Sequence, residues 1–269
     1  MRIQFATNSY RSDSLPLSAQ RVVNLYAEQQ PRDAKTQVAV FGAPGIVTFA
    51  TAGSGPIRGG HMLGGLAYFV SGGGLYSVSN DSTPVVTLVG TTVAGSGPVR
   101  MADNGDELAI ATGGNGYLYS TTAGFRLITD ASFGPTANSV DFLDGFFLWD
   151  RAGTGEVFRS DLLDGFNYDG TAFATAESAS DNLLSLRTHK QLLYLLGERT
   201  IEPWQNIGTA NFPFARISGG TLSRGIIGAH AITAEDETLF LIGDDRIAYK
   251  LSGTQMGRIS THAIEQAWQ

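Results

Sequence analysis

The feature that most limits how this chain can fold is an internal repeat. Gly53-Ser54-Gly55-Pro56-Ile57-Arg58 returns 42 residues later as Gly95-Ser96-Gly97-Pro98-Val99-Arg100. The first copy runs on through Leu66-Ala67-Tyr68-Phe69-Val70 to Gly72-Gly73-Gly74 and then Leu75-Tyr76-Ser77. The second runs through Leu108-Ala109-Ile110-Ala111-Thr112 to Gly113-Gly114-Asn115-Gly116 and then Tyr117-Leu118-Tyr119. Each reads as a signal, a strand, a glycine turn and a second strand. Fainter copies follow at Val140 to Arg159, Leu184 to Glu202 and Ile227 to Tyr249. The mid-strand anchors Tyr68, Ile110, Leu148, Tyr194 and Phe240 are 42, 38, 46 and 46 residues apart. Units of about 40–46 residues, each made of several short strands, have the period of propeller blades.

Strand chemistry agrees with that period. The runs are short, rich in Val, Ile, Leu, Phe and Tyr, and bounded by Gly, Asp and Asn. Several are apolar throughout, as a strand buried between two neighbouring blades requires. Asp144-Gly145, Asn104-Gly105, Asp164-Gly165 and Asp169-Gly170 are expected to form tight turns with positive φ. No amphipathic helices separate the strands, which disfavours a parallel α/β sheet. The expected fold is therefore an all-β β-propeller, with five blade-like repeats over residues 51–260. Residues 1–50 hold strand-like pieces at Ile3 to Thr7, Val22 to Tyr26 and Val38 to Phe41. They are expected to close the ring, because an open blade edge invites aggregation. A helix is expected at Thr261 to Trp268, within a closing segment at residues 261–269.

Composition narrows the function. Glycine accounts for 34 of 269 residues, well above the usual level of about 7 %. Glycine and proline together stay below the roughly 25–30 % of a low-complexity chain. With 18 Lys and Arg against 25 Asp and Glu, the net charge is −7, so the cation surplus needed to bind nucleic acid tightly and non-specifically is missing. The absence of cysteine excludes disulfides and cysteine-based sites. No apolar run is long enough to cross a bilayer, and Met1 to Asn8 contain no signal-like apolar stretch. Neither Gly-Ser-Gly has the third glycine or the following helix of a dinucleotide loop, and no Lys-Ser or Lys-Thr closes a phosphate loop.

The remaining chemical candidates are few. Among His61, His189, His230 and His262, only His61 and His230 fall on first strands of a unit, where a metal site could gather; hydrogen-bonded blade histidines are the preferred reading. Asp103, Asp141, Asp150, Asp161, Asp181 and Glu235 come from different units. A propeller glycosidase would need two of them about 5–9 Å apart, whereas most sit beside Gly or Asn, where turn capping is the ordinary role. Trp149 and Trp204 are assigned to blade cores rather than to sugar stacking. Arg58 and Arg100 occupy the same place in successive units, so each is expected to tie its blade to the next.

Seven further segments carry a family likeness. They are Val22-Val23-Asn24-Leu25, Ala43-Pro44-Gly45-Ile46, Gly74-Leu75-Tyr76, Val93-Ala94-Gly95-Ser96-Gly97 with Met101-Ala102, Phe158-Arg159-Ser160-Asp161-Leu162, Arg199-Thr200-Ile201-Glu202 and Arg224-Gly225-Ile226-Ile227-Gly228. In their order and spacing, from about residue 20 to 260, the chain resembles the packaged-DNA stabilisation proteins of short-tailed phages. These are tail accessory factors that form the tail nozzle. The resemblance implies a six-bladed propeller assembled as a homo-hexameric ring in the virion tail, built in the host cytoplasm. It implies contact with the portal-adaptor protein and with tail needle or fibre proteins. The ring would seal the portal after packaging and let packaged DNA pass without tight binding. It implies no catalysis, so no catalytic, cofactor-binding or metal residues are carried over and no cofactor is expected. Family members are longer, so a sixth blade would draw on residues 1–50 and on sequence beyond Gln269. Two other readings stand beside it: a propeller glycosidase or lyase using axial carboxylates, and a monomeric carbohydrate- or protein-binding propeller.

Overall fold

The structure, a computed structural model, describes residues 9–11, 19–35, 38–134, 137–176 and 181–268. The strand expected at Ile3 to Thr7 lies outside the described residues. The chain divides into two units, Met1–Thr48 with Ser260–Gln269, and Phe49–Ile259. In the smaller unit, β1 (Tyr10–Arg11) pairs antiparallel with β2 (Ala19–Gln20), and β3 (Leu25–Gln29) pairs antiparallel with β4 (Val38–Gly42). A short helix at its end, His262–Trp268, is entered through Thr261, whose carbonyl accepts the Glu265 N–H at 3.1 Å.

The larger unit is a five-bladed propeller. Blade 1 is β5 (Ile57–Leu63), β6 (Leu66–Ser71), β7 (Gly74–Val78) and β8 (Val86–Gly90). Blade 2 is β9 (Arg100–Asp103), β10 (Glu107–Ala111), β11 (Gly116–Ser120) and β12 (Gly124–Leu127). Blade 3 is β13 (Val140–Leu143), β14 (Phe146–Asp150), β15 (Glu156–Asp161) and β16 (Asp164–Thr175). Blade 4 is β17 (Leu183–His189), β18 (Leu192–Gly197), β19 (Ile201–Asn206) and β20 (Phe214–Arg216). Blade 5 is β21 (Ile232–Glu235), β22 (Thr238–Ile242), β23 (Ala248–Ser252) and β24 (Gln255–Arg258). All pairings are antiparallel, and each sheet runs in sequence order from its first strand to its last.

Alternation along the second strands explains why those runs are apolar throughout. In β10, Leu108 and Ile110 enter the core shared with blade 1, while Ala109 and Ala111 enter the core shared with blade 3. In β14, Phe147 and Trp149 face blade 2 and Leu148 faces blade 4. In β18, Leu193 and Leu195 face blade 3, and Tyr194 and Leu196 face blade 5. Each large side chain buried this way contributes roughly 1.5–3 kcal/mol. Among the described residues these contacts form four cores, one at each junction from blade 1 to blade 5. The end blades are buried on one face only: Tyr68 and Val70 are covered but Phe69 is half-buried, and Leu239 and Leu241 are covered but Phe240 is half-buried.

Turns set the register. The first hairpins of blades 1, 3, 4 and 5 reverse at Gly64-Gly65, Asp144-Gly145, Lys190-Gln191 and Asp236-Glu237, every one with positive φ. That geometry matches the right-handed twist of the flanking strands. Asp164-Gly165 and Asp169-Gly170 are not turns, contrary to the sequence expectation; both lie inside β16, and the chain reverses at Leu162-Leu163 instead. Gly165 serves close packing: a Cβ there would lie 2.9 Å from the Leu118 side chain of blade 2. The Gly-Ser-Gly signal has a similar explanation in blade 1. A Cβ on Gly55 would lie 2.6 Å from the Gly72 backbone, and the Gly72 N–H donates to the Pro56 carbonyl at 3.0 Å.

Two of the family-like segments meet at the junction of blades 4 and 5. The Ile226 N–H donates to the Gly197 carbonyl at 3.0 Å, and Gly225 lies against the turn at Glu198-Arg199. A Cβ on Gly225 would sit 2.1 Å from the Glu198 carbonyl carbon, whereas one on Gly228 meets nothing within 4 Å. Gly225→Ala is therefore expected to destabilise the protein by about 3 kcal/mol and Gly228→Ala by less than about 1 kcal/mol. Chemical denaturation of the pair tests this, and equal midpoints would refute it.

A buried relay joins blades 3 and 4. The Ser139 N–H and hydroxyl donate to Asp150 Oδ1 at 2.6 and 3.0 Å, and the same hydroxyl accepts the Leu186 N–H at 2.9 Å. Asp150 is fully buried and its Oδ2 has no partner. Burial pushes its pKa up to about 6, against the opposing pull of the Ser139 hydrogen bonds. The folded state thus holds a proton that the unfolded chain releases near pH 4. The resulting stabilisation is complete below that pH and is lost as the pH rises through about 6, a change on the order of 3 kcal/mol. Asp150→Asn keeps the Oδ1 acceptor and removes the titration. Unfolding free energies measured from pH 4 to 7 are expected to fall for the wild type relative to Asp150→Asn; parallel curves would show that Asp150 does not titrate in this range.

Candidate functional site

The first strands of the blades form the inside of the ring. Each lies at one edge of its sheet, and β5, β9, β13, β17 and β21 adjoin one another in succession. Most of the polar side chains singled out in the sequence lie on or beside these strands. Their partners are usually one repeat away, because equivalent positions of adjacent blades face each other.

His61 on β5 meets Asp103 on β9 at 2.6 Å, joining blades 1 and 2. Asp103 also accepts the Gly105 N–H at 2.9 Å, so it caps a turn while it pairs. Asp141 on β13 reaches Arg187 on β17 at 3.3 Å and accepts the Thr188 N–H at 2.8 Å, joining blades 3 and 4. The Thr188 hydroxyl donates to the Phe142 carbonyl at 3.3 Å. Arg187, Thr188 and Ser139 were not singled out in the sequence. The signal that finds them is a complementary group 46 or 47 residues from its partner, one blade period away.

The two repeat-equivalent arginines do different jobs. Arg58 is buried and ties blade 1 to the approach to blade 2, as expected. Its Nε donates to the Gly97 carbonyl at 2.7 Å, Nη1 to Gly72 at 2.9 Å and Val93 at 3.2 Å, and Nη2 to Ala94 at 2.8 Å. Arg100 does not reach toward blade 3. Its Nη2 crosses the ring to blade 5, donating to the Ala229 carbonyl at 3.2 Å and the Ile232 carbonyl at 3.3 Å. The acceptors differ: Arg58 is met by carbonyls of the Val93–Gly97 loop, whereas Arg100 is met by carbonyls of the approach to and start of β21, and the Arg187 guanidinium stands beside it from blade 4. Burial lowers the Arg100 pKa, Arg187 lowers it further, and Asp141 acts in the opposite sense. His230, two residues before β21, is pushed down by burial and then by the Arg100 charge.

The other candidates are placed as follows. Asp150 is in the blade 3 relay. Asp161 is exposed, 3.8 Å from Arg159. Asp181 accepts the backbone N–H groups of Arg199 and Thr200 at 2.8 and 3.1 Å, which caps the turn before β19. Glu235 is exposed at the end of β21. Trp149 is fully buried, edge-on to Phe133 at 4.9 Å, and the Trp204 indole N–H donates to buried Glu202 at 2.9 Å. No group of three or more His, Cys, Asp or Glu residues is placed to hold a metal among the described residues. Each of the six carboxylates thus has its own local surroundings, and several cap turns or bridge blades. A shallow cleft of about 410 Å³ lies between the last strands of blades 1 and 2, lined by Leu88, Thr92, Tyr117, Phe125 and Leu127 among others.

Comparison with solved structures finds propellers. The computationally designed Ika8 protein matches with a TM-score of 0.51 at 9 % identity, covering 87 % of this chain and 70 % of its own. The WD40 beta-propeller domain of Doa1 matches with a TM-score of 0.52 at 14 % identity, covering 80 % of this chain and 71 % of its own. At such identities the likeness concerns the fold alone. Comparison with curated proteins gives no match. The family model described as bacteriophage P22 Gp10, beta-propeller, matches residues 1–269, and the chain belongs to that family.

Proposed function

We propose that this chain is a tail subunit of a short-tailed phage virion. In this reading it forms a homo-hexameric ring that seals the portal channel after packaging and connects the portal adaptor to the tail needle or fibres. The observation that carries the reading is the family match over residues 1–269. Residues 1–50 have the task of closing the propeller ring, and a sixth blade follows from the family pattern. Assembly takes place in the host cytoplasm.

Two physical features support a subunit that works in an assembly. The net charge of −7 lets DNA pass without the counterion-releasing phosphate contacts that would hold it. The ribbon of β3 and β4 leaves Leu25, Tyr26, Val38, Val40 and Phe41 exposed, with Tyr26 and Phe41 stacked at 5.6 Å as a cross-strand pair. An apolar surface of this kind on a soluble particle marks an interaction site. A second copy in a ring would cover it with a self-consistent contact.

Particles assembled without this protein are expected to lose their DNA and lack the distal tail when viewed by cryo-electron microscopy. Particles that keep both would overturn the proposal. Phe41→Ser is expected to lower incorporation into tails at least ten-fold while the melting temperature of the isolated protein changes by only a degree or two. Normal incorporation would remove the ribbon from the interface.

A further inference from the structure

The turn between the last two strands of blade 3 is made of two leucines in the open. Leu162 and Leu163 are 63 % and 64 % exposed, and Leu163 has φ at 56°. A bulky side chain rarely adopts that left-handed conformation, which Gly, Asn and Asp take readily. The first hairpins of blades 1, 3, 4 and 5 reverse on glycine or polar residues instead, at Gly64-Gly65, Asp144-Gly145, Lys190-Gln191 and Asp236-Glu237. Neither Leu162 nor Leu163 enters any of the four cores of the propeller. A single exposed leucine is ordinary, but an adjacent pair on a strained turn burdens the fold twice and gives it nothing back.

Hydrogen bonds fix the pair in place. The Leu163 N–H donates to the Gly145 carbonyl at 2.7 Å, and a Cβ on Gly145 would lie 2.6 Å from Leu162 Cδ1. Next to Gly145, Asp144 Oδ2 accepts the Asn206 amide at 2.7 Å, which brings up Ile207, 53 % exposed, from blade 4. The Ile207 N–H donates to the Pro213 carbonyl at 2.7 Å, and Arg159 of blade 3 donates to the Asn211 carbonyl at 2.8 Å. Three exposed aliphatic side chains thus share one end of blades 3 and 4. Charge selects what covers them. Asp161 and Asp164 flank the leucines and Asp144 adjoins Gly145. Asp144 is met by the neutral Asn206 amide, Asp164 by the Phe166 N–H and the Asn167 amide, and Asp161 by Arg159 at 3.8 Å. Arg159 also divides its donors among the Ser160, Ala210 and Asn211 carbonyls. Such an acidic rim repels anionic lipid and nucleic acid, and a second copy of this chain brings a net charge of −7. A protein segment with leucine-like side chains between lysines or arginines complements both patch and rim.

We infer that Leu162, Leu163 and Ile207, framed by Asp144, Asp161 and Asp164, form a docking surface for a cationic, apolar segment of a different protein. The surface belongs to the propeller unit and the ribbon of β3 and β4 to the other, so its failure would leave the proposed tail role untouched.

The test is fluorescence anisotropy of a labelled synthetic peptide of alternating leucine and lysine titrated with the full chain, with a leucine–glutamate peptide as the control. Saturable binding of the lysine peptide is expected, roughly ten-fold or more tighter than that of the glutamate peptide. The double variant Leu162→Ser, Leu163→Asn is expected to weaken it roughly ten-fold or more without lowering the melting temperature, because Asn accepts the left-handed turn. Asp144→Asn with Asp161→Asn is expected to weaken it about five-fold and to reduce its salt dependence. Asp81→Asn, at an exposed acid between β7 and β8, leaves it unchanged. No saturable binding, binding unchanged in the leucine variant, or an equal loss in Asp81→Asn overturns the inference. A lowered melting temperature in the leucine variant would assign the pair to the fold, and self-association abolished by that variant would assign the patch to a second copy; either result overturns it too.

Discussion

Burial of the second strands on both faces is the constraint on which the propeller rests. A strand such as Leu192–Gly197 cannot be placed at a surface, because Leu193 and Leu195 need one neighbour and Tyr194 and Leu196 another. Only a sheet on each side satisfies both sets. The blades are therefore stabilised mainly through their neighbours, and each junction is a core in its own right. Every other feature of the unit, from turn type to the ties between first strands, acts within that limit.

Polar groups refine what apolar burial selects. Apolar cores can slide; directed hydrogen bonds cannot do so without leaving buried groups unmet. The ties His61 to Asp103 and Asp141 to Thr188 and Arg187 join first strands of adjacent blades, Ser139 to Leu186 joins the residue before β13 to β17, and Arg100 joins blade 2 to blade 5 across the ring. Together they fix how far each blade turns about the axis. Arg58 does the same for the entry to blade 2 by gathering four carbonyls around one buried guanidinium. A lysine, with its compact head and three donors, could not span that set.

Much of the fold was legible in the sequence because its signals are local and repeated. The 42-residue return of Gly-Ser-Gly-Pro, the apolar run at Leu192 to Leu196 and Asp144-Gly145 each act over a few residues, and each stands in the structure where it was read. Asp164-Gly165 misled because glycine has two uses, positive φ and close approach, and only the packing of Leu118 distinguishes them. Arg100 misled for a related reason. Its sequence neighbourhood copies that of Arg58, but the acceptors of a long side chain lie far along the chain, 129 and 132 residues away for Arg100, and a local copy does not specify them. The tie from Arg187 to Asp141 was hidden because its members lie 46 residues apart and only neighbouring blades bring them together.

The charge of the molecule is divided in a way that composition conceals. The chain as a whole is acidic, with a net charge of −7, yet the axial strands place Arg100 and Arg187 beside a single Asp141. A low-dielectric interior strengthens that local imbalance, while water screens the acidic exterior. Composition cannot locate that imbalance, because the pairing of Arg187 with Asp141 spans 46 residues and exists only where blades 3 and 4 lie side by side.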